Sequence, residues 1–314
     1  MTGPPLPGIE KNLIYPEIQE KLLDNGVRVL LANDRRLPRI SILLAVKAGY
    51  VCNPDDNLSL IPLAVDLIKE GTQSRSSKDI ADFADRWAID YQGDASMEYS
   101  SFSVTSLINC LEPALELLSD LVLNPTFPSK EFMKAKIRWR SRLMARRSQS
   151  SFLAHENNYR TLFRGHPYSR ANLRLEHLEI LERNLIEKIY RQFYVPQSSY
   201  ILFSGPLELE DAVKLSEHYF GDWKGQALSS SEYPPTRPLE KPTVHLVHRP
   251  ASVQSTILVS GRGLSKTHSD FIPLKVANQI LGGGGTARLF LNLREDKGYT
   301  YGAYSRIRSY KDEG

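Results

Sequence analysis

Two apolar runs, KLL and VRVLLAN, flank Asp24, Asn25 and Gly26 near the start of the chain. An Asn-Gly step between apolar runs marks a tight hairpin whose central residues need positive φ, so residues 21–33 predict two antiparallel strands. Residues 39–49, RISILLAVKAG, predict a third, well-buried strand. The period then changes. Leu60, Leu63, Ala64, Leu67 and Ile68 recur at helical spacing in SLIPLAVDLIKEGT, with Gly71 as the expected C-cap. A second helix is expected from Ser77 as N-cap, and residues 90–108 return to a strand pair. Helices follow at 112–123, 129–148 and 151–163; GHPYS at 165–169 interrupts them, and 177–194 resume the helical period. A short strand over 198–205 leads into a helix over 208–223. Strand, hairpin and helix in this order, with antiparallel pairing, predict an α+β fold rather than a doubly wound sheet.

Residues 225–242, GQALSSSEYPPTRPLEKP, carry no periodic apolar positions and are rich in Ser and Pro, the composition of an interdomain linker. Beyond it TVHLVHRP, STILVSGRG and a helix through PLKVANQILGG repeat in outline the strand, strand, helix order of the first part. The expectation is therefore a first domain over 1–224, a linker over 225–242, and a second copy of the domain over 243–314. That second copy would be incomplete in this chain.

With 41% hydrophobic and 24% charged residues, the 314-residue chain has enough apolar surface for two packed domains. The 40 basic and 36 acidic side chains leave a net charge of only +4, which argues against a nucleic-acid binder. Cys52 and Cys110 are far apart and outside any C-x-x-C spacing, so neither a disulfide framework nor a cysteine metal site is expected, though one disulfide stays open. No apolar run reaches the roughly 18–20 residues of a membrane helix. The first residues lack the basic-then-apolar pattern of a secretion signal, which leaves a periplasmic chain with its signal removed, or a cytoplasmic one.

The segments VKAGYVCNPDDNLSLIPLAVDLIKEGT, GHPYS, FGDWKG and LGGGGTARLFLNLREDKGYTYGAYS together resemble the pitrilysin/insulinase family of inverted zinc metallopeptidases. The resemblance implies a duplicated domain, each copy an antiparallel sheet with helices on one face. It also implies a helix carrying H-x-x-E-H, two zinc-binding histidines and a glutamate base. Counted back from Gly71 and Thr72, those positions are Pro62, Val65 and Asp66, and none keeps the motif residue. The family's third ligand, a glutamate on a later helix, falls near Arg140, Ser141 and Arg142. Zinc needs imidazole, thiolate or carboxylate ligands, so no metal is expected here and zinc is expected in a partner. The seven histidines offer one close pair, His245 and His248, whose odd spacing on a predicted strand sends them to opposite faces.

What the resemblance retains lies in the second half. In active members an arginine and a tyrosine seven residues apart hold the substrate backbone and the developing oxyanion; Arg294 and Tyr301 have that spacing. Gly282, Gly283, Gly284 and Gly285 lack the Lys-Ser/Thr of a phosphate loop and follow a helix rather than a strand. They are expected to form a mobile or closely packed turn that introduces a helix over 288–294. The helix over 129–148 carries eight Lys or Arg against one Glu, with Lys134, Arg138, Arg142 and Arg146 in one stripe. Such a stripe is either a solvated face or the border of a chamber that attracts acidic peptides. The implied role is a non-catalytic, substrate-binding subunit that supplies Arg294 and Tyr301 to the zinc site of a family partner acting on unstructured peptides. The alternatives are a structural subunit of a larger assembly and a stand-alone peptide-binding module.

Overall fold

The computed structural model describes residues 15–53, 60–170, 174–226, 236 and 240–314. Most of the linker expected over 225–242 lies outside the described residues. Six strands form one sheet: β1 (Ile18–Leu22), β2 (Arg28–Asn33), β3 (Arg39–Val46), β4 (Asp90–Ala95), β5 (Ser100–Leu107) and β6 (Ser199–Gly205). Their order is β1-β2-β6-β3-β5-β4, antiparallel throughout except for the parallel pair of β2 with β6. The expected hairpin is present, but positive φ is confined to Gly26 (+93°) and not shared by Asn25, because the turn spans three residues with the Leu23 amide donating to the Val27 carbonyl. The Asn25 amide also donates to the Phe220 carbonyl at 2.7 Å, tying the turn to a distant helix end.

One face of the sheet is covered. Val29, Leu31, Ile40, Ile42, Leu44, Val46, Phe102, Val104, Ile201 and Phe203 alternate inward from four strands and are buried. Helices α1 (Leu60–Ile68), α3 (Leu111–Leu123) and α8 (Leu209–Phe220) pack over this face, and α2 (Ser77–Arg86) packs on α3. Helices α4 (Ser129–Arg147), α5 (Ser150–Leu162), α6 (Leu175–Ile180) and α7 (Arg183–Phe193) complete the layer. The α+β class with helices on one face is thus present.

Helix α1 ends at Ile68, so Gly71 is not its C-cap but pairs with Ser76 in an antiparallel bridge, and other boundaries also differ from expectation. The N-cap of α2 is Ser76, one residue earlier than expected, because Ser76 and Asp79 form a reciprocal capping box that satisfies two orphan backbone donors. The helical period over 177–194 is broken into α6 and α7, with Leu181 and Glu182 extended. Leu181 is buried there, and Lys136 donates to its carbonyl at 2.9 Å. Side-chain burial and a lysine holding the freed carbonyl therefore outweigh helix continuity.

The larger difference lies in the second part. TVHLVHRP and STILVSGRG form no strands, and neither does the aromatic segment around 299–310; among the described residues this half holds helix α9 (Phe271–Gly282), then α10 (Arg288–Phe290) running into a π-helical turn over Leu291–Asp296. A strand is stabilised by ladder hydrogen bonds and a covered face. Here Val244, Val253, Ile257 and Val259 all point outward. The segment ends instead dock on the first half. Glu98 accepts from the buried Tyr168 hydroxyl at 2.8 Å and from the Lys311 amide at 2.6 Å, and the Tyr159 and Tyr310 hydroxyls meet at 2.8 Å. Burial raises the Tyr168 phenol well above the usual range, so it stays a donor to Glu98.

The turn after α1 is fixed by Asp120, a buried carboxylate on α3. It accepts from the Thr72 hydroxyl at 2.8 Å, the Ser74 hydroxyl and Arg75 guanidinium at 2.7 Å each, and the Asn124 amide at 3.2 Å. Burial alone would raise this acid. The donors from Ser74, Thr72, Arg75 and Asn124 outweigh it and hold the acid below its ordinary 3.8. A lowered folded-state value means stability that is full above the unfolded value and lost as pH falls through the folded one. Asp120→Ala is expected to cost about 3 kcal/mol at neutral pH, measured by urea denaturation. The gap between variant and parent should shrink as the pH is taken below about 4.

Candidate functional site

Every residue of α1 except Asp66 is buried. Pro62 sits in the first turn, where a missing N–H costs the helix nothing. The buried Asn53 side chain accepts from the Ile61 amide at 3.1 Å and caps the helix start. Val65 faces β4 at Gly93, where a Cβ would come within 3.0 Å of the valine. Glycine at that point lets the helix lie directly on the strand. Pro62 and Val65 are therefore packing residues without a donor atom to offer.

Asp66 is turned toward α4. Phe132, Ala135, Trp139 and Leu143 form the core-facing stripe of that helix, which brings Trp139, Arg138 and Arg142 to the edge of α1. The Trp139 indole donates to Asp66 Oδ2 at 2.7 Å, and the Arg142 guanidinium stands 3.7 Å from the same oxygen. One turn on, Glu70 accepts from Arg138 at 2.8 Å and from the Ser77 hydroxyl at 2.8 Å. Asp66, Glu70, Ser77, Arg138 and Arg142, with Lys69 and Tyr91, line an open polar cleft of about 300 Å³ beside β4.

Most of the stripe of Lys134, Arg138, Arg142 and Arg146 is engaged within the chain. Lys134 pairs with Glu131 and Arg138 with Glu70, Arg146 lies over the Phe152 ring at 4.6 Å, and Arg142 stands 3.7 Å from Asp66 without a hydrogen bond to it. A zinc ion does not fit this arrangement. Two of the three motif positions carry no ligand atom, the third is held by an indole N–H, and a guanidinium stands where a third ligand would be needed. Among the described residues no three His, Cys, Asp or Glu side chains group as a metal site. His245 and His248 lie on an exposed segment, and Cys52 and Cys110 form no disulfide.

The structure brings Arg294 and Tyr301 together. The Arg294 guanidinium lies 4.8 Å from the Tyr301 ring centre and 4.7 Å from that of Phe290, a cation held between two aromatic faces. Such contacts are worth about 0.5–1 kcal/mol each at exposed sites. Tyr301 is 89% exposed, so its hydroxyl is open to a ligand. Arg294 sits in the π-helical turn, a geometry that recurs at functional sites. The four glycines run from the last residue of α9 into the turn before α10, and only Gly282 and Gly283 are closely packed. At Gly282 a Cβ would meet the Ser305 backbone, whose amide donates to the Gly282 carbonyl at 3.0 Å. Gly285 lies against Phe290, one wall of the arginine's sandwich.

Comparison with known proteins decides the family. Residues 28–175 match the family model described as "Insulinase (Peptidase family M16)", and residues 181–314 match "Peptidase M16 inactive domain". The chain belongs to the M16 peptidase family. It is similar to "Uncharacterized zinc protease YmxG" of Bacillus subtilis, 24% identical over 95% of this chain and 72% of that protein. It is also similar to "Non-peptidase homolog YmxG" of Helicobacter pylori, 22% identical over 89% of this chain and 65% of that one. Among solved structures, a peptidase M16 inactive domain from Pseudomonas fluorescens superposes with a TM-score of 0.81 at 22% identity, covering 95% of this chain and 72% of that one. A protease from Helicobacter pylori gives 0.86 at 16% identity, covering 96% and 73%. At these identities the structural likeness establishes the fold.

Within the M16 family this chain falls with the non-catalytic members: its second half matches the inactive-domain description and its first half lacks H-x-x-E-H. Two site features of this M16 chain escaped sequence reasoning. Trp139, three residues from Arg142 and so on the same helical face, was a legible neighbour whose bond to Asp66 was not. Glu98, the acceptor that docks residues 311–312, carries no motif signal at all. The purified chain should hold no stoichiometric zinc. Metal analysis finding about one zinc per chain, retained after mild chelation and lost in Asp66→Ala, is the opposite result.

Proposed function

We propose that this chain is a non-catalytic M16 subunit that binds peptide and presents Arg294 and Tyr301 to a zinc site supplied by a partner of the same family. The observation that carries the reading is the contrast between its two halves. Helix α1 holds packing residues at Pro62 and Val65 and an already engaged Asp66, while Arg294 and the exposed Tyr301 stay paired. A guanidinium and a phenol are both donors, and donors aimed at a carbonyl stabilise the charge that develops on it during hydrolysis. The metal and general base would come from the partner. The peptide would lie between the two chains.

A stand-alone peptide-binding module is the second reading, favoured by the position of β4. It is an edge strand of the sheet, its outer backbone groups have no strand neighbour among the described residues, and the cleft opens beside it. An extended peptide can join such an edge by main-chain hydrogen bonds. The two readings part on one experiment. Mixed with a zinc-bearing M16 subunit whose H-x-x-E-H is intact, this chain should create peptidase activity that neither chain has alone. No gain on mixing, across a concentration range in which the two chains co-elute, would leave the stand-alone module as the better account.

A further inference from the structure

The cleft between α1, α4 and β4 is lined by three cations, Lys69, Arg138 and Arg142, and two carboxylates, Asp66 and Glu70. Their commitments are unequal. Both Glu70 oxygens are taken, one by Arg138 and one by Ser77, and Arg138 is taken with them. Asp66 Oδ2 holds the Trp139 indole, and Arg142 stands off at 3.7 Å, longer than a hydrogen bond, with 62% of its side chain exposed. Lys69 makes no hydrogen bond or ion pair among the described residues; its stem runs past Gly93, 3.3 Å from where a Cβ would lie. The Tyr91 hydroxyl has no hydrogen-bond partner there either, and burial, with Glu70 and Asp85 nearby, raises its phenol so that it remains a donor.

What is left over is therefore an ammonium, a guanidinium and a phenol, against one uncommitted oxygen of Asp66. A cleft whose spare groups are donors and mostly cations selects an anion, and a planar carboxylate suits the guanidinium fork. We infer that the cleft standing in place of the metal centre is a carboxylate-binding subsite for peptide, in which Lys69 and Arg142 hold an acidic side chain or a C-terminal carboxylate. The inference rests on the peptide-binding part of the proposed function and not on the partner. Its place beside the open edge of β4 puts the subsite within reach of a peptide lying on that strand. Asp66 competes with the ligand for Arg142. It tunes the affinity of the subsite rather than forming part of it.

The test uses the whole 314-residue chain without a partner. Three unstructured decapeptides of one sequence are titrated calorimetrically at low salt: a capped peptide with a central Glu, the same peptide with Gln, and the Gln peptide with a free C-terminal carboxylate. At least one carboxylate peptide should bind about tenfold more tightly than the capped Gln peptide, as a charge-assisted hydrogen bond at a partly exposed site allows. Whichever does so identifies the source of the carboxylate. Lys69→Met and Arg142→Met should each abolish that preference, while unchanged melting temperatures show that the fold is intact. Asp66→Asn keeps an acceptor for Trp139 and removes the competing charge, so it should tighten carboxylate binding, an effect that a purely structural ion pair does not produce. Equal affinity for all three peptides, a preference that survives both methionine variants, or weaker binding in Asp66→Asn would each overturn the inference. None of these outcomes bears on activity with a zinc-bearing partner, so the two proposals fail separately.

Discussion

The burial of α1 against the sheet, with Asp66 as its single outward residue, is the constraint on which the chemistry of the first half depends. A helix apolar nearly all round has to lie inside the layer, and each large side chain it buries contributes about 1.5–3 kcal/mol. Gly93 allows the close approach on one side, and Asp120 fixes the turn at the far end through four donors. Whatever happens at this position is therefore decided by what reaches one carboxylate. Here it is an indole N–H and a guanidinium. A site that in a metallopeptidase gathers ligands around a cation has become one in which cationic side chains of α4 approach Asp66 of α1 and Glu70 just beyond it.

The second half shows the converse. Its Arg294–Tyr301 pair is assembled locally, by a π-helical turn that offers Arg294 to Phe290 on one side and to Tyr301 on the other. The glycine turn shapes the approach, since Gly282 admits the returning backbone and Gly285 sits against Phe290. The Tyr168, Glu98 and Tyr310 contacts then attach residues 308–312 to the first half. Ligands absent from the first half and donors present in the second are what the proposed partnered subunit would require.

Sequence reasoning reached the parts of this molecule that local physics decides. The Asn25-Gly26 hairpin, the helix at 60–68 and the long α4 follow from turn chemistry and apolar period, and all three are present. It failed where distant groups decide. The break at Leu181 depends on burial and on Lys136 reaching a carbonyl from another helix. The expected strands at 243–263 have the right composition but no strand neighbours among the described residues, and composition alone does not make a ladder. At the site, the loss of ligands at Pro62 and Val65 was legible residue by residue. The engagement of Asp66 by Trp139 and Arg142 was not, because it depends on how α4 lies across α1.

The central claim, that the donors at the partner's zinc come from this chain, is tested most directly by single-turnover kinetics of the mixed complex with Tyr301→Phe. Phenylalanine keeps the ring that Arg294 rests on and removes only the hydroxyl. The account predicts a fall in turnover on the order of a hundredfold, with peptide affinity and assembly unchanged. An unaltered rate in a fully assembled complex would contradict it.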